Sequence, residues 1–234
     1  MRFEQQLLEG TLLRRTKRFL ADVKLRSGEE VTVHCANSGG MEGVTEPGNK
    51  VLISVSEDPR RRWKHQLEII YTGRTAVGIH SGRTSAVVAE AIAQSKIANL
   101  AGYATLRRDV KYDRDHRIDI LLEGNGLRPC YISVQNVALA NGDIAIFPDT
   151  QHDEGAVLME RLTDLVREGN RAMVFFVAQR MDVNKLTLAE SMDPEVVQAF
   201  RDAIARGVEQ IAFRAEVQKK GIELNDALEI LATP

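Results

Sequence analysis

The 234-residue chain lacks several features that would narrow its chemistry. Cysteine occurs only at Cys35 and Cys130, each inside an apolar, strand-like run. Neither a disulfide framework nor a four-thiolate zinc site can be built from two such residues, and both read as buried, reduced thiols. Long apolar runs are also missing. The stretch Ala172 to Ala178 falls far short of the roughly 20 residues that cross a bilayer. Arg2 and Glu4 stand near the start with no signal-type apolar segment, so the expectation is a cytosolic protein without a membrane partner. Internal repeats and low-complexity tracts are absent too.

Charge of one sign is scarce over the whole chain, with a net of −2, which argues against indiscriminate coating of nucleic acid. The distribution is uneven. Residues 1–85 carry 14 Lys and Arg against 10 Asp and Glu, while the remainder carries 17 against 23. A basic N-terminal part can track phosphates, although so small an excess is also common on ordinary domains.

The hydrophobic pattern divides the chain into an expected barrel at 1–83 and an α/β domain at 84–234. The first part reads as short strands (Gly10 to Arg14, Phe19 to Leu25, Val31 to Cys35, Val51 to Val55, His65 to Tyr71, Ala76 to His80) punctuated by glycines. Five or six such strands without a helix fit a five-stranded oligonucleotide-binding barrel, with a β-sandwich as the other possibility. From residue 84 the period changes. Val87, Val88, Ala91, Ile92, Ser95, Ala98 and Ala101 predict one helix face, capped by Thr84 or Ser85. Strands follow at Leu106 to Tyr112, Arg117 to Leu122 and Cys130 to Val137, then a helix from Asp153 to Glu168 stopped by Gly169. Ala172 to Ala178 predicts a strand buried on both faces. A helix over Pro194 to Arg206, capped by Asp193, precedes a strand at Val208 to Glu216, whose edge offers a route to a homodimer.

Helix, three strands, helix, strand is the core order of nucleases that set an acid on the second strand and Asp/Glu-x-Lys on the third. Residues i and i+2 share a strand face, so carboxylate and ammonium meet at one scissile phosphate around Mg²⁺. Here the second strand supplies Asp119 and the third supplies Ser133-Val134-Gln135. A neutral hydroxyl and an amide replace the second ligand and the cation.

An ordered series of stretches, including Lys17-Arg18-Phe19-Leu20-Ala21-Asp22-Val23, Val33-His34-Cys35-Ala36-Asn37-Ser38-Gly39, Arg117-Ile118-Asp119, Phe147-Pro148-Asp149 and Arg206-Gly207-Val208-Glu209, resembles the sugar fermentation stimulation protein A family along essentially the whole chain. The resemblance implies an α/β (α+β) fold with an oligonucleotide-binding-type barrel and a PD-(D/E)xK-type nuclease domain. It also implies DNA rather than RNA as partner, and an association with regulation of sugar-utilisation genes. Where the family reads Glu-Val-Lys this chain has Ser133-Val134-Gln135, and where it has an acid late in the first helix this chain has Asn99. The stretch after Phe147-Pro148-Asp149 departs as well, at Thr150-Gln151-His152, Glu154 and Val157.

The expected site therefore comprises Asp119, Ser133, Gln135 and Asn99, with Asp119 and Asp149 as weak metal candidates. No cofactor is expected, Mg²⁺ or Mn²⁺ entering only if the site keeps activity. Such activity would need relocated ligands such as Asp109 and Glu123. His152 and Asp153 read as a helix cap rather than a metal or acid–base pair. His34 reads as a hydrogen-bonded structural histidine. For nucleic acid the candidates are Arg14, Arg15, Lys17 and Arg18 near the first turn, Asn37, and the run Arg60, Arg61, Arg62, Trp63 and Lys64, which joins cations to the single tryptophan. A protein-interaction module that no longer meets nucleic acid is the remaining alternative.

Overall fold

The computed structural model describes residues 1–112, 116–151 and 154–231. The first part is a closed barrel. Strands β1 (Leu8–Thr16), β2 (Leu20–Leu25), β3 (Glu30–His34), β4 (Lys50–Val55) and β5 (His65–Thr72) pair in the cycle β1-β2-β3-β5-β4-β1. All the pairings are antiparallel except the closing one, where His34 of β3 meets Gln66 of β5 in parallel. Strand alternation sends Leu12, Val23, Val33, Val51, Ile53 and Leu67 into the barrel core. A sixth strand, β6 (Thr75–Gly78), hairpins onto β5.

The second part is built on a six-stranded sheet. It comprises β7 (Thr105–Lys111), β8 (Arg117–Glu123), β9 (Cys130–Val137), β12 (Arg171–Ala178), β14 (Glu209–Gln218) and β15 (Gly221–Ala227), in the order β15-β14-β12-β9-β8-β7. A small sheet of β10 (Ala140–Asn141), β11 (Ile144–Phe147), β13 (Lys185–Leu188) and β16 (Glu229–Ile230) lies beside it. Helix α1 (Thr84–Ala93) covers one face. Helices α2 (Gly155–Arg167) and α3 (Pro194–Ala205) cover the other. As its apolar run predicts, β12 is buried on both faces, pairing in parallel with β9 and β14. Helix, three strands, helix, strand is thus the order observed. The Asp193 side chain accepts from Val196 N at 3.1 Å with Pro194 next to it, which starts α3 as expected. Gly155 lets α2 approach α3, because a Cβ there would stand 2.7 Å from Val196 Cγ2.

Three expectations are corrected. The first helix ends at Ala93, not Ala101: Ser95 enters the left-handed region at φ 56°, Ser95 N–H bonds Ile92 O at 2.9 Å and Lys96 N–H bonds Ala91 O at 3.0 Å. That pair of bonds is a Schellman stop, made by serine where glycine is the usual marker, and Asn99 falls in a separate short turn. Thr84 and Ser85 do not cap this helix. Thr84 lies inside it, buried, while Arg83 holds the cap position. Finally, β14 is no edge, because β15 pairs along it, so the proposed route to a homodimer through that strand is closed. His152 and Asp153 lie outside the described residues.

The two parts share apolar surface. Leu52 and Ile69 of the barrel enter the cluster formed by α1 and the large sheet, and Ala138, just beyond β9, enters the barrel core. Main chain joins them as well, with Gly78 N–H bonding Gln179 O at 2.8 Å.

Candidate nucleic-acid interface

The β1–β2 turn places Lys17 and Arg18 at its tip, at φ 51° and 60°. Left-handed backbone at two successive non-glycine residues costs on the order of 1–3 kcal/mol each, and hairpin tips of this kind ordinarily use Asn-Gly. Lys17, Arg18 and Phe19 are exposed there, Phe19 by 54%. The β4–β5 loop carries the second basic run: Arg61, Arg62 and Lys64 are exposed, and the Arg62 guanidinium stands 5.4 Å from the half-buried Trp63 ring.

Both loops border the β2–β3 ribbon. Leu20 pairs with His34, so the Lys17–Phe19 tip stands just past the end of β3. Because β5 runs parallel to β3 from Gln66 opposite His34, the residues before Gln66 come in along the open edge of β3. His34 lies between, its Nδ1 3.0 Å from Gln66 Oε1 and its carbonyl accepting from Gln66 Nε2 at 2.9 Å.

Four other candidates are engaged elsewhere. Arg14 pairs with Asp22 at 2.7 Å, and Arg60 reaches Asp58 with two nitrogens at 3.0 Å. Arg15 turns inward, donating to the carbonyls of Arg18, Asn37, Gly39 and Gly40. Asn37 is buried, donating to Ile79 O and accepting from Gly39 N at 2.9 Å. Arg15 and Asn37 therefore hold the 37–41 loop in shape instead of facing phosphate.

The nuclease-type positions sit at the C-terminal part of β9. The β8–β9 ladder stops at Ile120↔Ile132 although both strands continue. Beyond that rung the Asp119 Oδ2 accepts from Val134 N at 2.8 Å. Ser133 is buried and its Oγ accepts from Gln135 Nε2 at 2.9 Å, so positions 133 and 135 share a strand face and adjoin Asp119. Burial raises the Asp119 carboxyl above its ordinary value, opposed by the Val134 amide and reinforced by Asp109. Asn99 is not brought to this site. Its carbonyl accepts from Arg171, which is in register with Cys130 at the other end of β9. Asp149 is drawn to the barrel, where its Oδ2 accepts from Met41 N at 3.2 Å. Asp109 is bound by Arg117 and Glu123 by Arg107.

A divalent cation calls for several anionic oxygens, and these residues do not fit one. One carboxylate, half spent on a main-chain amide, faces a hydroxyl and an amide that bond each other. Among the described residues no group of three or more His, Cys, Asp or Glu is gathered.

Two polar clusters escaped the sequence reading. Arg83 bonds the fully buried Glu68 through Nε at 2.6 Å and Nη2 at 2.5 Å, tying the barrel to α1. Gln179 Nε2 donates to Thr84 Oγ1 at 2.9 Å and Asn136 Oδ1 at 2.6 Å, binding α1 and β9 at the domain junction. Their partners are far apart in sequence, so no local pattern marks them.

Comparison with known proteins decides the family. Residues 13–79 match the SfsA N-terminal OB domain and residues 82–221 match the sugar fermentation stimulation protein RE domain. The chain belongs to the sugar fermentation stimulation protein family. Homologues in the family include one from Thioalkalivibrio sulfidiphilus, 44% identical and covering 98% of each chain, and one from Geobacter sulfurreducens, 40% identical and covering 97% of each. The solved structure of Pyrococcus furiosus SfsA in complex with Ca²⁺ has the same fold, with a TM-score of 0.89 at 20% identity over 99% of this chain and 98% of that one.

Proposed function

We propose that this family member binds nucleic acid, DNA in preference to RNA, through the two basic loops beside the β2–β3 ribbon, and does not hydrolyse it. The observation that carries the reading is that Lys17, Arg18, Arg61, Arg62 and Lys64 are exposed and outside the ion pairs of the described residues. Each such cation is available to displace a counterion from a phosphate. The site beside Asp119 supports the second half, since Ser133 and Gln135 offer neither an anionic ligand nor a cation. On this reading the protein acts in the cytosol as a DNA-binding regulator, the role that the family resemblance carries.

A gel shift over a series of salt concentrations tests the binding surface. Arg61→Ala with Arg62→Ala should weaken DNA binding and flatten the plot of log affinity against log salt by up to ~0.9 per lost phosphate contact on duplex DNA. An unchanged slope removes this loop from the interface. The Ca²⁺ bound by the Pyrococcus furiosus protein makes calorimetry with Ca²⁺ and Mn²⁺ the companion experiment. Here no stoichiometric heat is expected, and a saturating one-to-one isotherm lost in Asp119→Ala would reinstate a metal site.

A further inference from the structure

Phe19 and Trp63 are placed in a way that phosphate binding alone does not require. A phenylalanine 54% exposed at a hairpin tip covers no core, and it directly follows two cations held in left-handed backbone. Across the ribbon Trp63 is half-buried in the other basic loop, with one cation stacked against its ring. Between them the outward positions at this end of the ribbon are Leu20 and His34, which pair directly. Of the acids nearby, Asp22 on the ribbon has its charge taken up by Arg14 and by the Thr32 hydroxyl at 2.9 Å, and Asp58 in the β4–β5 loop is taken up by Arg60.

Resting on the nucleic-acid reading above, we infer that the occupant of this ribbon is a single strand, whose bases stack on Phe19 and reach toward Trp63 while its phosphates meet Lys17, Arg18, Arg61 and Lys64. The chemistry selects it. A duplex hides base faces inside the stack and offers an exposed aromatic nothing to pair with, whereas an unpaired strand presents both a π-face and a phosphate at every nucleotide. Flanking cations with aromatics set at each side of a strand face match that alternation.

The test is fluorescence anisotropy of the full chain with a labelled oligo(dT) and with a blunt duplex of equal length, at one moderate salt concentration. The wild type should bind the single strand more tightly, and binding should quench the emission of the lone tryptophan. Phe19→Ala should weaken single-strand binding about 5- to 100-fold, the range that loss of one base–aromatic stack implies, and alter duplex binding far less. Phe19→Trp should restore it. Because Phe19 is exposed, its variants should melt with the wild type, which a thermal scan checks. Duplex binding equal to or tighter than single-strand binding, or a Phe19→Ala variant that keeps full single-strand affinity, overturns the inference while leaving the nucleic-acid reading standing. Failure to bind either probe overturns both.

Discussion

His80 lies where the barrel meets α1, its Nδ1 buried with no partner among the described residues. Burial holds its imidazole below the usual histidine range, with Glu68 opposing and Arg83, His34 and Arg61 assisting. The folded chain therefore refuses a proton that the unfolded chain accepts below about pH 6.5, so stability should fall as pH drops through that value toward the lower folded pKa. His80→Gln should flatten the decline between about pH 7 and 5 in thermal melts, and parallel curves would remove His80 as its source. Gly39 is a second position where one atom decides. A Cβ there would run into the Asp149 carboxylate, so Gly39→Ala should cost about 1–3 kcal/mol, with recovery when Asp149→Ala is added. Additive losses in the double variant would show that the two do not touch. Residue identity was legible in sequence where the chemistry is local, as at Asp193. Nothing in Arg14-Arg15-Thr16-Lys17-Arg18 reveals that Arg15 alone turns inward, because its partners at 37–40 arrive through the fold.

Among elements, the helix ends show what a sequence can and cannot announce. Gly169 and Gly207 take φ 92° and 102° and close α2 and α3 with the same pair of bonds that Ser95 makes for α1. Two glycines mark their stops, while a serine doing the same work leaves the apolar period running on. The edge of the large sheet was misplaced because β15, with Glu223, Asn225, Asp226 and Ala227 exposed, carries too weak an alternation to announce itself. The barrel strands and β12 were legible because burial on one or both faces writes directly into the sequence. Strand β9 gives the element-scale prediction. Ser133→Glu with Gln135→Lys puts a second carboxylate beside Asp119, so the variant should melt below the wild type without metal. Mn²⁺ at a hundredfold excess over its Kd should restore about 2.7 kcal/mol, visible as a rise in Tm. A folded variant whose Tm ignores Mn²⁺ would contradict the juxtaposition of positions 119, 133 and 135 on one face.

At the scale of the whole molecule, the barrel and the α/β domain are not independent beads, since Leu52, Ile69 and Ala138 cross between their cores and Asp149 is anchored on the barrel loop at Met41. The carboxylate expected near the metal is thereby used to join the domains, and the cations proposed to meet nucleic acid lie on the barrel. This division of labour was only half legible, because charge counting finds the basic N-terminal part but not which of its arginines are spent internally. Binding without hydrolysis can be read in one experiment. A labelled DNA incubated with the purified chain in millimolar Mn²⁺, split between a native and a denaturing gel, reads both properties from the same sample. A shifted band that weakens as salt rises and a probe that remains full length are expected. A cleaved probe, with cleavage abolished by Asp119→Ala, or an unshifted one at low salt, would contradict binding without hydrolysis.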